Sequence, residues 1–215
     1  MGCANALAEI GDEEQLLELL AKNELSIENL NEIDESSGMT PMMTALKHGH
    51  FKFAEILFEH GGRIDDHVDK DGNTFLHWAN YGGCLKCVKL VMANSNIQPT
   101  SKNNDGVDSF LTASSTGNLD QVKFLLEQTE FPNRQVDVNT VDKSGVNVVI
   151  NRVYRAGYWH NPFNDLLRYF QSLFPNFNPA EIDETRVVID AEVDESDFEL
   201  DDIDPDVFDD EFDYS

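Results

Sequence analysis

One eight-residue block returns three times at a spacing of 34 residues, and that period constrains the chain more than any other feature. It reads Gly38-Met39-Thr40-Pro41-Met42-Met43-Thr44-Ala45, then Gly72-Asn73-Thr74-Phe75-Leu76-His77-Trp78-Ala79, then Gly106-Val107-Asp108-Ser109-Phe110-Leu111-Thr112-Ala113. A second marker keeps the same beat: Gly49, Gly83 and Gly117 fall eleven residues after each block's glycine, and each opens a further apolar run. A constant period of this length marks a stacked-repeat protein, in which each unit buries its apolar face only against its neighbours. The units form one elongated domain whatever their number, so a length of 215 residues does not by itself imply two domains.

Each block resembles the ankyrin turn-and-helix motif, Gly-x-Thr-Pro-Leu-His-x-Ala. The resemblance implies an all-α solenoid of stacked helix-turn-helix units over 1–178, followed by an acidic tail over 179–215 that is disordered or ordered by a partner. Five repeats are expected, at about 5–34, 35–68, 69–102, 103–141 and 142–178, the last as an atypical cap. In the first, degenerate repeat, Ala4, Leu7, Ala8 and Ile10 form a short apolar face. Gly11-Asp12 makes the turn, and Leu16, Leu17, Leu19 and Leu20 pack a second helix. Residues 21–34 read as a connector. The later second helices carry stripes of Ala54, Ile56, Leu57 and Phe58, then Val88, Leu90, Val91 and Met92, then Val122, Phe124, Leu125 and Leu126. Glycine at the helix-to-helix turns fits the left-handed backbone that such turns need.

The pattern loosens towards the C-terminus. Phe131 to Gln135 lengthen the outgoing loop of repeat four, so the next motif glycine, Gly145, falls 39 residues after Gly106. Repeat five keeps Asp142-Lys143-Ser144-Gly145 and an apolar Val148-Val149-Ile150-Val153 helix. Tyr158 to Pro162 expand its inner linker before a last amphipathic helix at Phe163–Phe174. Residues 181–215 hold 17 acidic residues and one basic, Arg186, a net of −16 that leaves −10 for 1–180. Such dense like charge does not fold alone. Val187-Val188-Ile189 can pair as a short strand, and aromatic and aliphatic residues interleave with the carboxylates, as in segments that order on a partner.

Charge narrows the function. The whole chain has 41 acidic and 15 basic residues, a net of −26. That balance repels phosphate backbones and anionic headgroups, so it argues against direct nucleic-acid or membrane-surface binding and for a basic protein partner. No run approaches membrane-spanning length and no signal-peptide pattern opens the chain, so a soluble cytoplasmic protein, or one exported without a cleaved leader, is expected, and it is expected to be monomeric on its own. Gly2 and Cys3 stand where N-terminal acylation occurs. Ala6, however, takes the place of the Ser or Thr of that motif, and no polybasic run follows.

Candidate chemistry is sparse. His77 occupies the Leu-His position of the motif, where the resemblance implies a structural bond to backbone. Cys84-Leu85-Lys86-Cys87 has Cys-x-x-Cys spacing but lacks the second ligand pair of a zinc site and the strand-to-helix setting of a redox pair, so core or half-buried thiols are expected. Asp69-Lys70-Asp71-Gly72-Asn73 looks like a calcium loop but lacks the later bidentate Glu. With no phosphate loop, nucleophilic triad or paired carboxylates, no catalytic, metal or cofactor site is expected.

The resemblance places partner contacts on the turn tips and on the exposed side of the first helices. Carried over by motif position, they are Met39, Lys47, His48, Lys70, Asp71, Asn73, Tyr81, Asp105, Val107, Thr116, Tyr154 and Arg155, with Trp159 in the cap and Phe198, Phe208 and Phe212 in the tail. Aromatic residues with a polar handle, Tyr81 among them, are favoured interface anchors. The expected function is a non-catalytic binding module that inhibits or sequesters a basic partner. The organisation is similar to cytoplasmic ankyrin inhibitors of transcription factors, and an inhibitor of a basic nuclease fits the same physics. The alternatives are a scaffold or pathogen effector using the repeat face alone, and a transcriptional adaptor with an acidic activating tail.

Overall fold

The computed structural model describes residues 2–127 continuously and, beyond them, Phe131, Asn133, Arg134, Val136, Thr140, Asp142, Lys143, Asp165, Leu166, Arg168, Tyr169 and Ser172. The regular elements named among these residues are all helical: α1 (Cys3–Ile10), α2 (Glu13–Ala21), α3 (Ile27–Leu30), α4 (Pro41–Lys47), α5 (Phe51–Glu59), α6 (Phe75–Tyr81), α7 (Leu85–Asn94), α8 (Ser109–Ser115) and α9 (Leu119–Glu127). Helices this short are marginal in water alone, so packing must hold them. They pack in two rows: α1, α4, α6 and α8 stack in sequence as one row, and α2, α5, α7 and α9 as the other.

Each helical hairpin turns on a glycine. Gly49 (φ 70°), Gly83 (φ 68°) and Gly117 (φ 73°) are left-handed, as the eleven-residue offset in sequence anticipates, and Gly11 (φ 70°) does the same for repeat one. Gly82 answers a different need. Its φ of −69° suits any residue, but a Cβ there would lie 2.1 Å from the Leu46 carbonyl oxygen. The first helices of repeats two and three stack that closely only because this position carries no side chain.

The core runs unbroken from Leu7 to Leu125 and takes in Leu166. The second-helix stripes are displaced from those read in sequence. Phe53, Ala54 and Leu57 are fully buried in α5, Cys87, Val88, Val91 and Met92 in α7, and Gln121, Val122 and Leu125 in α9. Ile56, Phe58, Leu90, Phe124 and Leu126 are only partly covered. The second helices meet the first row and two neighbours of their own row, which favours i, i+1 and i+4 over a narrow stripe. In repeat one, Ile10 and Leu17 are 67% and 45% exposed, outside the core in which the apolar pattern puts them. The expected connector over 21–34 contains the single-turn α3. Its Ser26 hydroxyl and Asn29 amide cap each other's backbone N–H groups.

The stack extends past repeat four. The Lys143 N–H donates to the Asp105 carbonyl at 2.9 Å, and Leu166 is completely buried in the common core. Tyr169 donates its hydroxyl to Glu127, and the Lys123 amine lies 5.2 Å from the Tyr169 ring centroid. Asp165, Leu166, Arg168, Tyr169 and Ser172 are helical, within the segment expected as the last amphipathic helix. Arg134 donates to the Met92 and Ser95 carbonyls, fastening the lengthened loop of repeat four to the end of α7.

Candidate functional site

The turn tips are built by one recurring device. Asp34, Asp69 and Asn103 each donate their backbone N–H across the turn, to the carbonyls of Met39, Asn73 and Val107, and each accepts from the motif glycine. Their side chains fill the inside of the turn. Asp34 accepts from Ser36, Ser37 and the Ser37 N–H; Asp69 Oδ1 accepts from the Asp71 and Asn73 N–H groups; Asn103 Oδ1 does the same for Asp105 and Val107. The hydroxyls of Ser36 and Ser37 hold the Asp34 carboxyl well below the ordinary carboxylate range.

Neighbouring tips are zipped together by their backbones. Lys70 donates to the Ser37 carbonyl at 3.1 Å, Asn104 to Asp71 at 2.8 Å, and Lys143 to Asp105 at 2.9 Å. The Asn103 amide adds a bond to Asn73 Oδ1 at 2.8 Å, and the Asn104 amide one to the Lys70 carbonyl at 2.9 Å. Residues on the tips therefore stand on a continuous ladder rather than on free loops. Little conformational entropy is lost when such a surface docks.

Behind the tips, the caps of the first helices carry the motif chemistry. Thr40, Thr74 and Asp108 accept from the N–H groups of Met43, His77 and Leu111. His77 accepts from the Thr74 N–H through Nδ1 and donates from Nε2 to the Val107 carbonyl at 3.0 Å, joining repeat three to the tip of repeat four. Burial lowers its pKa, which keeps the ring neutral in that bridging role. The structural role implied for this histidine is the one it plays. Asp108 is buried as well, and burial pushes its carboxyl up.

On the first-helix row, one cluster stands out. The Trp78 indole N–H donates to Asp69 Oδ2 at 3.0 Å, which locks the ring against the tip. Tyr81 meets it edge-on at 5.6 Å between centroids, and the Lys47 amine lies 5.3 Å from the Trp78 centroid. Tyr81 is 55% exposed, Lys47 and Trp78 half-buried, and His48 exposed beside them. Trp78 is the residue that sequence reasoning missed. Its only signal is an aromatic side chain at the position that repeats two and four fill with Thr44 and Thr112.

The other expected contact residues divide by position. Lys70, Asp71 and Asp105 are exposed on the tips, although the Lys70 amine is engaged with the Glu35 carbonyl. Asn73, Val107 and Thr116 are half-buried. Asn73 and Val107 are tied into the tip ladder, and Thr116 bonds the Ala113 carbonyl. Met39 is corrected: at 7% exposure it belongs to the core, because its side chain turns under the tip while its backbone closes it. Tyr154, Arg155, Trp159, Phe198, Phe208 and Phe212 lie outside the described residues, as do the expected strand at Val187 and the acidic tail.

Among the described residues, no group of three or more His, Cys, Asp or Glu could hold a metal ion, and no helix is long and apolar enough to cross a membrane. A cavity of about 120 Å³ lies between Asn31, Ile33, Thr40, Arg63, Asp65, His67 and Phe75. That is well short of the roughly 300 Å³ at which small-molecule sites begin.

A family model described as Ankyrin repeats (3 copies) matches residues 4–103. An ankyrin repeat-containing protein of Schizosaccharomyces pombe is 33% identical over 117 residues, which is 52% of this chain. The aligned part spans about half of that relative, 51% of its length. The three-fold block, the zipped tips and the two helical rows agree with the match: residues 4–103 are ankyrin repeats, a protein–protein interaction fold, in an all-helical ankyrin solenoid.

Proposed function

We propose that this chain is a non-catalytic binding module that inhibits or sequesters a basic protein. The repeats grip the partner through their tips and first-helix row, and the carboxylates of 179–215 cover its basic surface. The observation that carries the reading is the Trp78–Tyr81–Lys47 cluster, an amphipathic aromatic pair held in fixed geometry beside a rigid row of polar tips. Tyr and Trp anchor interfaces because they bring large area at small entropic cost. The net charge of −26 supports a basic partner, since complementary charge steers encounter and rejects acidic competitors. A tethered acidic segment raises the effective concentration of its carboxylates next to the docked repeats.

Capture from native lysate tests this with three proteins: the full chain, Tyr81→Ala, and residues 1–180. The expected catch is basic proteins that elute as ionic strength rises towards 1 M, where the Debye length falls from about 8 to about 3 Å. Both the substitution and the shortening weaken the capture. A catch no more basic than the lysate, retained at 1 M salt and without the tail, returns the chain to the scaffold reading.

A further inference from the structure

Cys84 and Cys87 meet at the start of α7 in a relation that the repeat itself does not require. Cys84 is the N-cap, with extended backbone (φ −99°, ψ 102°), and its sulfur accepts the Cys87 N–H at 3.2 Å. Cys87 is the third residue of the helix, the position whose N–H the cap residue accepts. Its N–H lies 3.2 Å from the Cys84 sulfur, so the two cysteines share the first turn of the helix at the i, i+3 spacing. Cys3, the remaining cysteine, is exposed on α1.

The sister repeats show what these positions must do. Repeat two has His50 and Phe53 there, and repeat four has Asn118 and Gln121. Capping is met by the Asn118 amide oxygen, which accepts from the Gln121 N–H at 3.1 Å, and sulfur is a weaker acceptor than oxygen. Burial is met by Phe53. A sulfur pair serves neither need better than its counterparts do. What it adds is two thiols of unlike burial within one helical turn.

Cys84 is half-buried, whereas Cys87 is fully buried. The Cys87 thiol, the N–H groups of Cys87 and Lys86 and the charge of Lys86 all favour a thiolate at Cys84, pulling its pKa down to about 6. Its contact with Cys84, together with burial, holds Cys87 protonated. One sulfur is prepared to attack, and the other keeps its proton within reach of it.

We infer that Cys84 and Cys87 form a peroxide-responsive dithiol that closes to a disulfide within repeat three. The Cys84 thiolate attacks one oxygen of hydrogen peroxide and the O–O bond breaks. The departing hydroxide takes a proton to become water, leaving a sulfenic acid on Cys84. The Cys87 sulfur then attacks the sulfenic sulfur. The S–S bond forms as the S–O bond breaks, and the hydroxyl leaves with the Cys87 proton as a second water. In total, one dithiol loses two electrons and two protons, and one peroxide is reduced to two waters.

The test uses the full chain carrying Cys3→Ser, so that the pair is the whole thiol content. At pH 6 a thiol of pKa about 6 is half ionised, against about 0.3% for an ordinary thiol of pKa about 8.5. Its lower nucleophilicity gives back about one order of magnitude, so Cys84 should alkylate with iodoacetamide about tenfold faster than free cysteine. Stoichiometric peroxide should then remove the mass of two hydrogens from the intact chain, with Cys84 linked to Cys87 in the peptide map. With Cys87→Ser added, oxidation should stop at one dimedone-reactive sulfenic acid per chain. Alkylation no faster than free cysteine, or thiols left unlinked after peroxide, overturns the inference. The mass measurement decides the matter whether or not the serine variant folds.

Discussion

Repeats two and four share a helical hairpin, α4–α5 and α8–α9, and differ in what they bury. Repeat two seals its positions with Leu46 and Phe53, both fully buried and apolar; the same positions in repeat four are Ser114 and Gln121, equally buried and polar. Ser114 turns its hydroxyl onto the Phe110 carbonyl, and Gln121 reaches the Ala79 carbonyl at 3.1 Å. Yet the Gln121 carbonyl oxygen and the Ser109 hydroxyl are buried with no hydrogen-bond partner among the described residues. The solenoid frame thus tolerates a polar core, but each such atom carries a desolvation penalty of about 1–3 kcal/mol. Because stability in a solenoid is close to a sum over repeats and their contacts, repeat two should hold and repeat four yield first.

The sharpest way to break that comparison is to truncate the same position in both repeats. Phe53→Ala should cost about 3–5 kcal/mol in urea unfolding, the range for a buried aromatic that leaves a cavity. Gln121→Ala should cost only about 1 kcal/mol, since it removes an unsatisfied oxygen together with its one useful bond. Equal losses would mean that the two repeats are not energetically distinct. Between them sits Asn80, the counterpart of Leu46, whose amide bonds the Leu76 carbonyl while its oxygen has no partner among the described residues. Asn80→Leu should stabilise by about 1–2 kcal/mol, and a loss in the same unfolding measurement would show the site too tight for leucine.

A second contrast is between two carboxylates with opposite pH signatures. Asp34 lies on a tip, and the donors around it, Ser36 first, keep it ionised. Its contribution is present above the ordinary carboxylate pKa of 3.8 and fades as pH falls towards its lower folded value. Asp108 is raised by burial, so its relative contribution is greatest below 3.8 and declines as pH climbs through its folded pKa. Asp108→Thr, which installs the cap of repeats two and three, should therefore gain about 1 kcal/mol at neutral pH, with the gain gone in acid. Asp34→Asn should lose stability at neutral pH and converge on the parent in acid. Denaturant titrations at several pH values check both, and a gain from Asp108→Thr that persists in acid would detach it from ionisation.

Much of this architecture was legible because the determinants of an ankyrin turn are local. The motif glycines recur within one period, so spacing located them, and the resemblance to the ankyrin motif supplied the structural role of His77. What spacing missed depends on neighbours. Trp78 sits at a variable position and gains its meaning from Asp69, Tyr81 and Lys47, three residues drawn from two repeats. Met39 reads as exposed by its place on a tip, yet its side chain packs into the core. α3 has only four residues, too few to show a helical period, and its cap pairs Ser26 with Asn29 where Glu or Gln would be the recognisable signal. Ile10 and Leu17 read as core because apolar periodicity marks a helix face without saying whether anything covers it.

The smallest expected effect separates rigidity from charge on the first-helix row. The Lys47 amine sits 5.3 Å from the Trp78 centroid at a half-exposed site, where a cation–π contact contributes about 0.5–1 kcal/mol. Lys47→Met keeps the stem that covers the indole and removes the charge, so it should cost about 0.5 kcal/mol of stability. If the cluster serves as a preformed anchor, the indole stays fixed by Asp69 and Tyr81 after that change. Trp78 fluorescence, read in a Trp159→Phe background, should then keep its emission maximum and quenching by iodide should rise only slightly. A large red shift would show that lysine, rather than the Asp69 bond, holds the ring, and the anchor would then depend on the chain's scarce positive charge.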